Sequence, residues 1–266
     1  VKNTIFFKTM NERKWFTLGW TIGLIAFAAL MVSFFPAMHQ DGALDDLVSN
    51  MPKAFEGLVG DLANLKNFPS YLASQLFDIR LPILVGIMAI ILGQSLSTKE
   101  EERGELRTVL ALRVSRAKLF IQKWLALILI TGLAVIGLGI GIYSTVPFTA
   151  QASLDFIVFL RLGFMTWLLM IAFGTITFAI GMATGSKAMT TLISTLLIVG
   201  SFIISTFSSA IEWLASVEKF SLLSYFPAVD IAQYGIAKKD VAILLMVIVI
   251  SLIVSIICFR RRDIKG

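Results

Sequence analysis

Six stretches of eighteen residues or more carry no Lys, Arg, Asp or Glu: 15–40, 81–98, 124–154, 162–186, 188–211 and 241–259. A helix needs about 20 apolar residues to cross the ~30 Å hydrocarbon core, so each run is long enough for one crossing. Inside lipid every backbone N–H and C=O must be paired within the segment or within a closed barrel. A barrel strand would alternate polar and apolar residues, and these runs do not, so they are read as helices. The fold class that follows is an all-α polytopic membrane protein with six transmembrane helices. Composition agrees: 57% of the 266 residues are hydrophobic, 15% are charged, and the mean hydropathy is +0.86. Soluble domains carry roughly 25% charged residues. A soluble enzyme, a secreted disulfide scaffold and a nucleic-acid-binding domain are excluded on these grounds. The lone Cys258 cannot form an internal disulfide.

The expected layout is a single transmembrane domain over 1–266. Residues 1–16 form an interfacial segment, and 17–36, 81–97, 124–146, 162–184, 188–210 and 241–259 are spans one to six. Between them lie an outer loop at 37–80, a cytoplasmic segment at 98–123 and an outer segment at 211–240, before a basic tail at 260–266. The basic start and the first apolar run resemble a signal peptide, but the run is too long and lacks a small-x-small cleavage pattern, so it reads as a retained span. Val1 at the start is compatible with a native beginning further upstream. Sixteen of the 23 basic residues fall before span one, between spans two and three, at Lys187 and in the tail. That side is assigned to the cytoplasm, which puts both termini inside. A bacterial inner membrane fits this pattern.

Chemistry-bearing motifs are sparse. The runs hold almost no ionisable side chains, whereas proton-driven pumps place such groups at mid-membrane. His39 is the only histidine, so neither a zinc cluster nor an HExxH motif can be assembled around it. The stretch from Gly181 to Lys187 has three residues between its glycines and Ala188 after the lysine, so it is not a phosphate loop. It reads as a short turn, and no catalytic, cofactor or metal residues are assigned. Gly19 with Gly23, Gly137 with Gly141, and Gly181 with Gly185 have the spacing that lets helix backbones approach. Spans four and five are rich in hydroxyls. Thr175, Thr177, Thr191, Ser194, Thr195 and Ser201 are candidate pathway-lining residues, although such hydroxyls also bond back to their own helix.

The segment between spans two and three is the most informative. Ser97 and Glu100 have capping-box spacing. Glu100, Glu101, Glu102 and Glu105 sit where a helix dipole favours acid, and Arg107 and Arg113 where it favours base. Leu106, Val109 and Leu110 share one face, and Gly104 interrupts the run. Ser115 can cap a second helix that leads into span three. An amphipathic helix therefore leaves span two and returns at span three. It either lies on the lipid or docks a cytoplasmic protein, and anionic headgroups would repel its acidic end.

These residues resemble a family. Glu101, Glu102, Gly104, Leu106, Leu110, Val114, Ser115, Arg116 and Lys123 follow a pattern similar to the permease subunits of type-two ATP-binding-cassette exporters. The closest look is to antibiotic-exporter-like and sodium- or bacitracin-exporter-like permeases. Glu105 and Arg113 depart from it, where the family often has Thr or Ser, and Pro. The resemblance implies a coupling helix that seats in a separate ATPase subunit, with Glu100, Glu101, Glu102, Gly104, Glu105, Leu106, Val109, Leu110, Arg113, Ser115 and Arg116 as its docking residues. ATP and Mg would then be bound by the partner ATPase, with no cofactor on this chain. A second permease chain, identical or related, would complete the conduit, with membrane lipid around it and no nucleic acid involved.

The resemblance also implies an interfacial connecting helix before span one, containing Ile5, Phe6, Phe7 and Trp15, and short helices between spans five and six. In the outer loop, Phe55, Leu58, Val59, Leu62 and Leu65 have helical spacing, so the loop is either a solvated connector or carries a small amphipathic cap over the outer mouth. The expected function is an ATP-driven export permease without its own ATPase. The alternatives are a secondary transporter, or a non-transporting immunity or sensor protein that sequesters a ligand.

Overall fold

The computed structural model describes residues 4–38, 67–99, 115–149, 152–208 and 211–261. Every regular element among these residues is helical. A short helix, Thr4–Glu12, precedes span one, Lys14–Ser33, with a break at Arg13. Span two begins at Phe68–Tyr71, passes through a π-helical stretch at Leu72–Arg80 and ends as the α-helix Leu81–Ser97. Span three is Arg116–Thr145, span four Phe156–Thr184, span five Lys187–Phe207 and span six Lys238–Arg261. Between spans five and six lie two short helices, Glu212–Val217 and Ala228–Tyr234, with two single 3-10 turns. Among the described residues, six helices are long and apolar enough to cross a membrane.

Span two starts well before the apolar run that announced it. Asn67 caps its first turn by accepting from the Ser70 N–H at 3.0 Å, and Pro69 occupies a position where no N–H is needed. Two of the polar residues that obscure this turn pair with each other. Arg80 donates to both the carbonyl and the side-chain oxygen of Gln75, each at 2.6 Å. Tyr71 Oη donates to the Met31 carbonyl at 3.0 Å and ties this end of span two to span one.

The core is formed by spans two, three and four, whose apolar windows are 65, 56 and 61% buried. Spans one, five and six, at 22, 22 and 17%, form the periphery. The glycine pairs divide along that line. A Cβ at Gly93 would lie 2.5 Å from the Gly174 carbonyl oxygen, so spans two and four meet backbone to backbone. A Cβ at Gly137 would lie 2.5 Å from Thr21 Cγ2, and one at Gly141 would strike the Ile25 carbonyl, which fixes span three on span one. Gly181 faces Ser97 just as closely, whereas Gly185 caps span four in the left-handed region, at φ 65°. Gly19 and Gly23 meet nothing within 4 Å. The close packing expected of that pair is therefore absent among the described residues, and the two glycines instead floor a shallow groove flanked by Trp15, Trp20 and Phe27.

Candidate coupling base and translocation groove

Two regions are candidates for function. The first is the end of the bundle from which the 98–123 segment departs. A helix leaves its last four carbonyls without intrahelical partners. At the end of span two, three of these carbonyls are taken up one by one. Gln94 O accepts from the Thr98 N–H at 2.9 Å and from the hydroxyls of Ser97 and Thr98. Ser95 O accepts from Arg13 Nη2 at 2.7 Å, and Leu96 O from Lys123 Nζ at 2.8 Å. Cations are favoured at this negative end of the helix dipole. Lys123 is 3% exposed, and burial of an ammonium is tolerable because acceptors replace its water.

Span three begins in the manner its sequence predicts. Ser115 accepts from the Lys118 N–H at 3.2 Å, and the helix then runs without interruption to Thr145. Ser97 is the last residue of span two, buried beside Gly181, and its hydroxyl donates back to Gly93 O at 2.8 Å and to Gln94 O. Glu100, the other half of the expected capping box, lies outside the described residues. Of the docking residues, Glu100, Glu101, Glu102, Gly104, Glu105, Leu106, Val109, Leu110 and Arg113 lie outside the described residues, as does the 55–65 cap. Arg116 opens span three.

The second region is a groove of about 440 Å³ between spans two and five. Ile83, Ile87 and Ile91 form a stripe along span two at i, i+4, i+8. Thr191, Thr195 and Val199 form the facing stripe along span five, with Phe202 towards one end. The two helices touch where Ile198 Cγ2 sits 2.9 Å from the Cβ position of Gly86.

The six candidate lining hydroxyls fall into different settings. Thr191 and Thr195 open onto the groove, and neither side chain has a hydrogen-bond partner among the described residues. Ser194 lies beneath them, 1% exposed, with its Oγ unpaired. Thr175 accepts from Trp124 Nε1 at 2.9 Å and joins spans three and four. Thr177 donates to Phe173 O within its own helix at 2.9 Å. The Ser201 carbonyl accepts from Ser221 Oγ at 2.8 Å and anchors the outer segment.

In the sequence Arg13 and Lys123 stand out only as charges of the basic side, Lys123 also as a position of the family pattern. Both carry structural work at the end of span two. The signal was present in principle: a lysine two turns into a long helix needs acceptors, and the end of span two supplies them.

Compared with curated proteins, the chain has no match. The sequence profile described as ABC-2 family transporter protein matches residues 12–264. That match covers all six spans, the groove and the coupling base, and on this ground the chain belongs to the ABC-2 family of membrane transporter proteins.

Proposed function

We propose that this chain is the permease subunit of an ATP-driven exporter. The observation that carries the reading is family membership across residues 12–264. Residues 98–123 dock a separate cytoplasmic ATPase, which binds ATP and Mg. Its acidic start and the Leu106, Val109 and Leu110 stripe supply the contact. Two permease chains form the conduit in a bacterial inner membrane, with both termini in the cytoplasm. Cargo passes along the groove between spans two and five. The apolar stripe suits an amphiphile, and the Thr191 and Thr195 hydroxyls offer it polar contacts.

Chemical energy arrives through the coupling segment. Closure of the ATPases on ATP biases the permease between inward- and outward-open states. The test is purification in mild detergent. A cytoplasmic ATPase is expected to co-purify with the chain, and Glu101→Lys with Glu102→Lys is expected to reduce its recovery by about tenfold, given the strength of charge-assisted contacts. Unchanged recovery removes the docking assignment.

A further inference from the structure

We propose that Arg13 and Lys123 are positioning residues that make the N-terminal helix, span two and span three move as one body with the coupling segment. The inference rests on the reading of residues 98–123 as the ATPase-docking segment. It begins with helix ends that are capped by other elements. The end of span two has orphan carbonyls, and the start of the Thr4–Glu12 helix has orphan N–H groups. At a membrane surface, water can serve both. Here protein groups from other elements serve them instead. Arg13, at the junction between the N-terminal helix and span one, donates to Ser95 O at 2.7 Å. Lys123, on span three, donates to Leu96 O at 2.8 Å. Its neighbour Gln122 accepts the Phe6 N–H at 3.2 Å.

Arg13 and span three thus complete the end of span two, and span three also serves the start of the N-terminal helix. Two of the three bonds are charge-assisted, which makes them shorter and stronger than neutral ones. Two long cationic side chains give up rotamer freedom to make them, a cost that water-capped termini do not carry. Both carbonyls belong to the last residues of span two before residue 98, and Lys123 lies two turns into the helix that Ser115 caps, at the far end of residues 98–123. A force applied between those points reaches span two and span three together. Through Arg13 it also reaches the helix that leads into span one.

The test uses the full chain, with Cys258→Ser, in nanodiscs with its co-purified ATPase. Spin labels go on Asn11→Cys and Lys118→Cys, both at exposed positions, and their separation is measured with and without MgATP. The parent is expected to give one narrow distance that MgATP leaves unchanged. Arg13→Met and Lys123→Met are expected to broaden it. They should also lower ATP turnover by about tenfold, the loss expected from one charge-assisted bond, with ATPase recovery and the half-saturating ATP concentration unchanged. Lys14→Met removes a neighbouring charge from an exposed position and is expected to behave as the parent.

Parent-like distance and turnover in both Met variants would overturn the proposal. So would a Lys14→Met variant that matches them. A broadened distance with unchanged turnover makes the contacts structural only, and overturns it too. If Lys123→Met does not insert, Arg13→Met decides alone, because Arg13 sits at a helix junction and not in the core. If no ATPase co-purifies with the parent, the docking reading falls, and the distances still decide whether the three elements are latched.

Discussion

The coupling base and the groove between spans two and five share a helix, yet they are built on opposite principles. At the base, the ends of span two and span three are crowded with polar groups that all find partners: Ser97, Thr98, Arg13 and Lys123 converge on three consecutive carbonyls. The Ser97 side chain also sits directly against the backbone of span four, because Gly181 leaves room for it. The groove has apolar walls, two hydroxyls without partners and a buried Ser194 whose oxygen is unpaired. Paired polar groups and backbone contact fix the relative position of helices. Apolar stripes slide and separate at little cost in lipid, where no hydrophobic drive holds them together. The difference teaches where this chain can hold still and where it can open.

The comparison breaks most readily at the close backbone contacts of the core. Gly93→Val places a side chain against the Gly174 carbonyl and forces spans two and four apart, with an expected loss of about 3 kcal/mol or more. The check is the thermal midpoint of the detergent-solubilised protein, together with the yield of monodisperse material. Parent-like stability would show that spans two and four do not rely on this contact.

A smaller effect is expected at the hydrogen bond between spans three and four. Trp124→Phe and Thr175→Val should each cost about 0.6 kcal/mol, with an upper bound near 1.7, as for other membrane interhelical bonds. The double variant should cost less than the sum, because one bond is lost in all three. Additive losses would place Thr175 elsewhere, including the pathway role considered for it from sequence.

The groove should register almost nothing in stability. Thr195→Trp fills open space, so its change is expected within about 0.5 kcal/mol. Its partner experiment is labelling. In a Cys258→Ser background, Thr195→Cys should react with a membrane-permeant maleimide several-fold faster than Thr177→Cys, which is 1% exposed in the parent position. Equal rates would remove the contrast between an open span five and a closed span four.

The membrane orientation sharpens the same picture. Single cysteines at Asp45 and Asp230 are expected to label from outside and one at Arg107 from inside, following the positive-inside distribution. The reverse pattern would put the coupling base on the wrong side for a cytoplasmic ATPase.

Much of this architecture was legible before any coordinates. Uncharged runs mark six helices, since lipid leaves the backbone no other choice. Gly137 with Gly141 announced a close approach, and Ser115 announced a helix start. The early start of span two was hidden because Gln75, Asp78 and Arg80 interrupt the apolar run, and only the fold shows Arg80 returning to Gln75. The bond from Ser97 back to Gly93 O was not legible, because a capping serine and a back-bonding serine differ only in context. Gly19 with Gly23 has the same spacing as Gly137 with Gly141, but spacing says nothing of whether a partner helix is present. The hydroxyls of spans four and five could not be sorted from sequence, because Thr175 and Thr191 differ only in which helix face meets Trp124 or the groove.

The most direct test of the central claim is ATP hydrolysis after the chain is purified from its native membranes and reconstituted in nanodiscs with whatever co-purifies. The account predicts a stoichiometric cytoplasmic ATPase whose turnover depends on this chain and falls when Glu101 and Glu102 are reversed in charge. A chain that purifies alone, or an ATPase whose turnover ignores it, would contradict an ATP-driven permease and favour a ligand-sequestering or ion-coupled membrane protein.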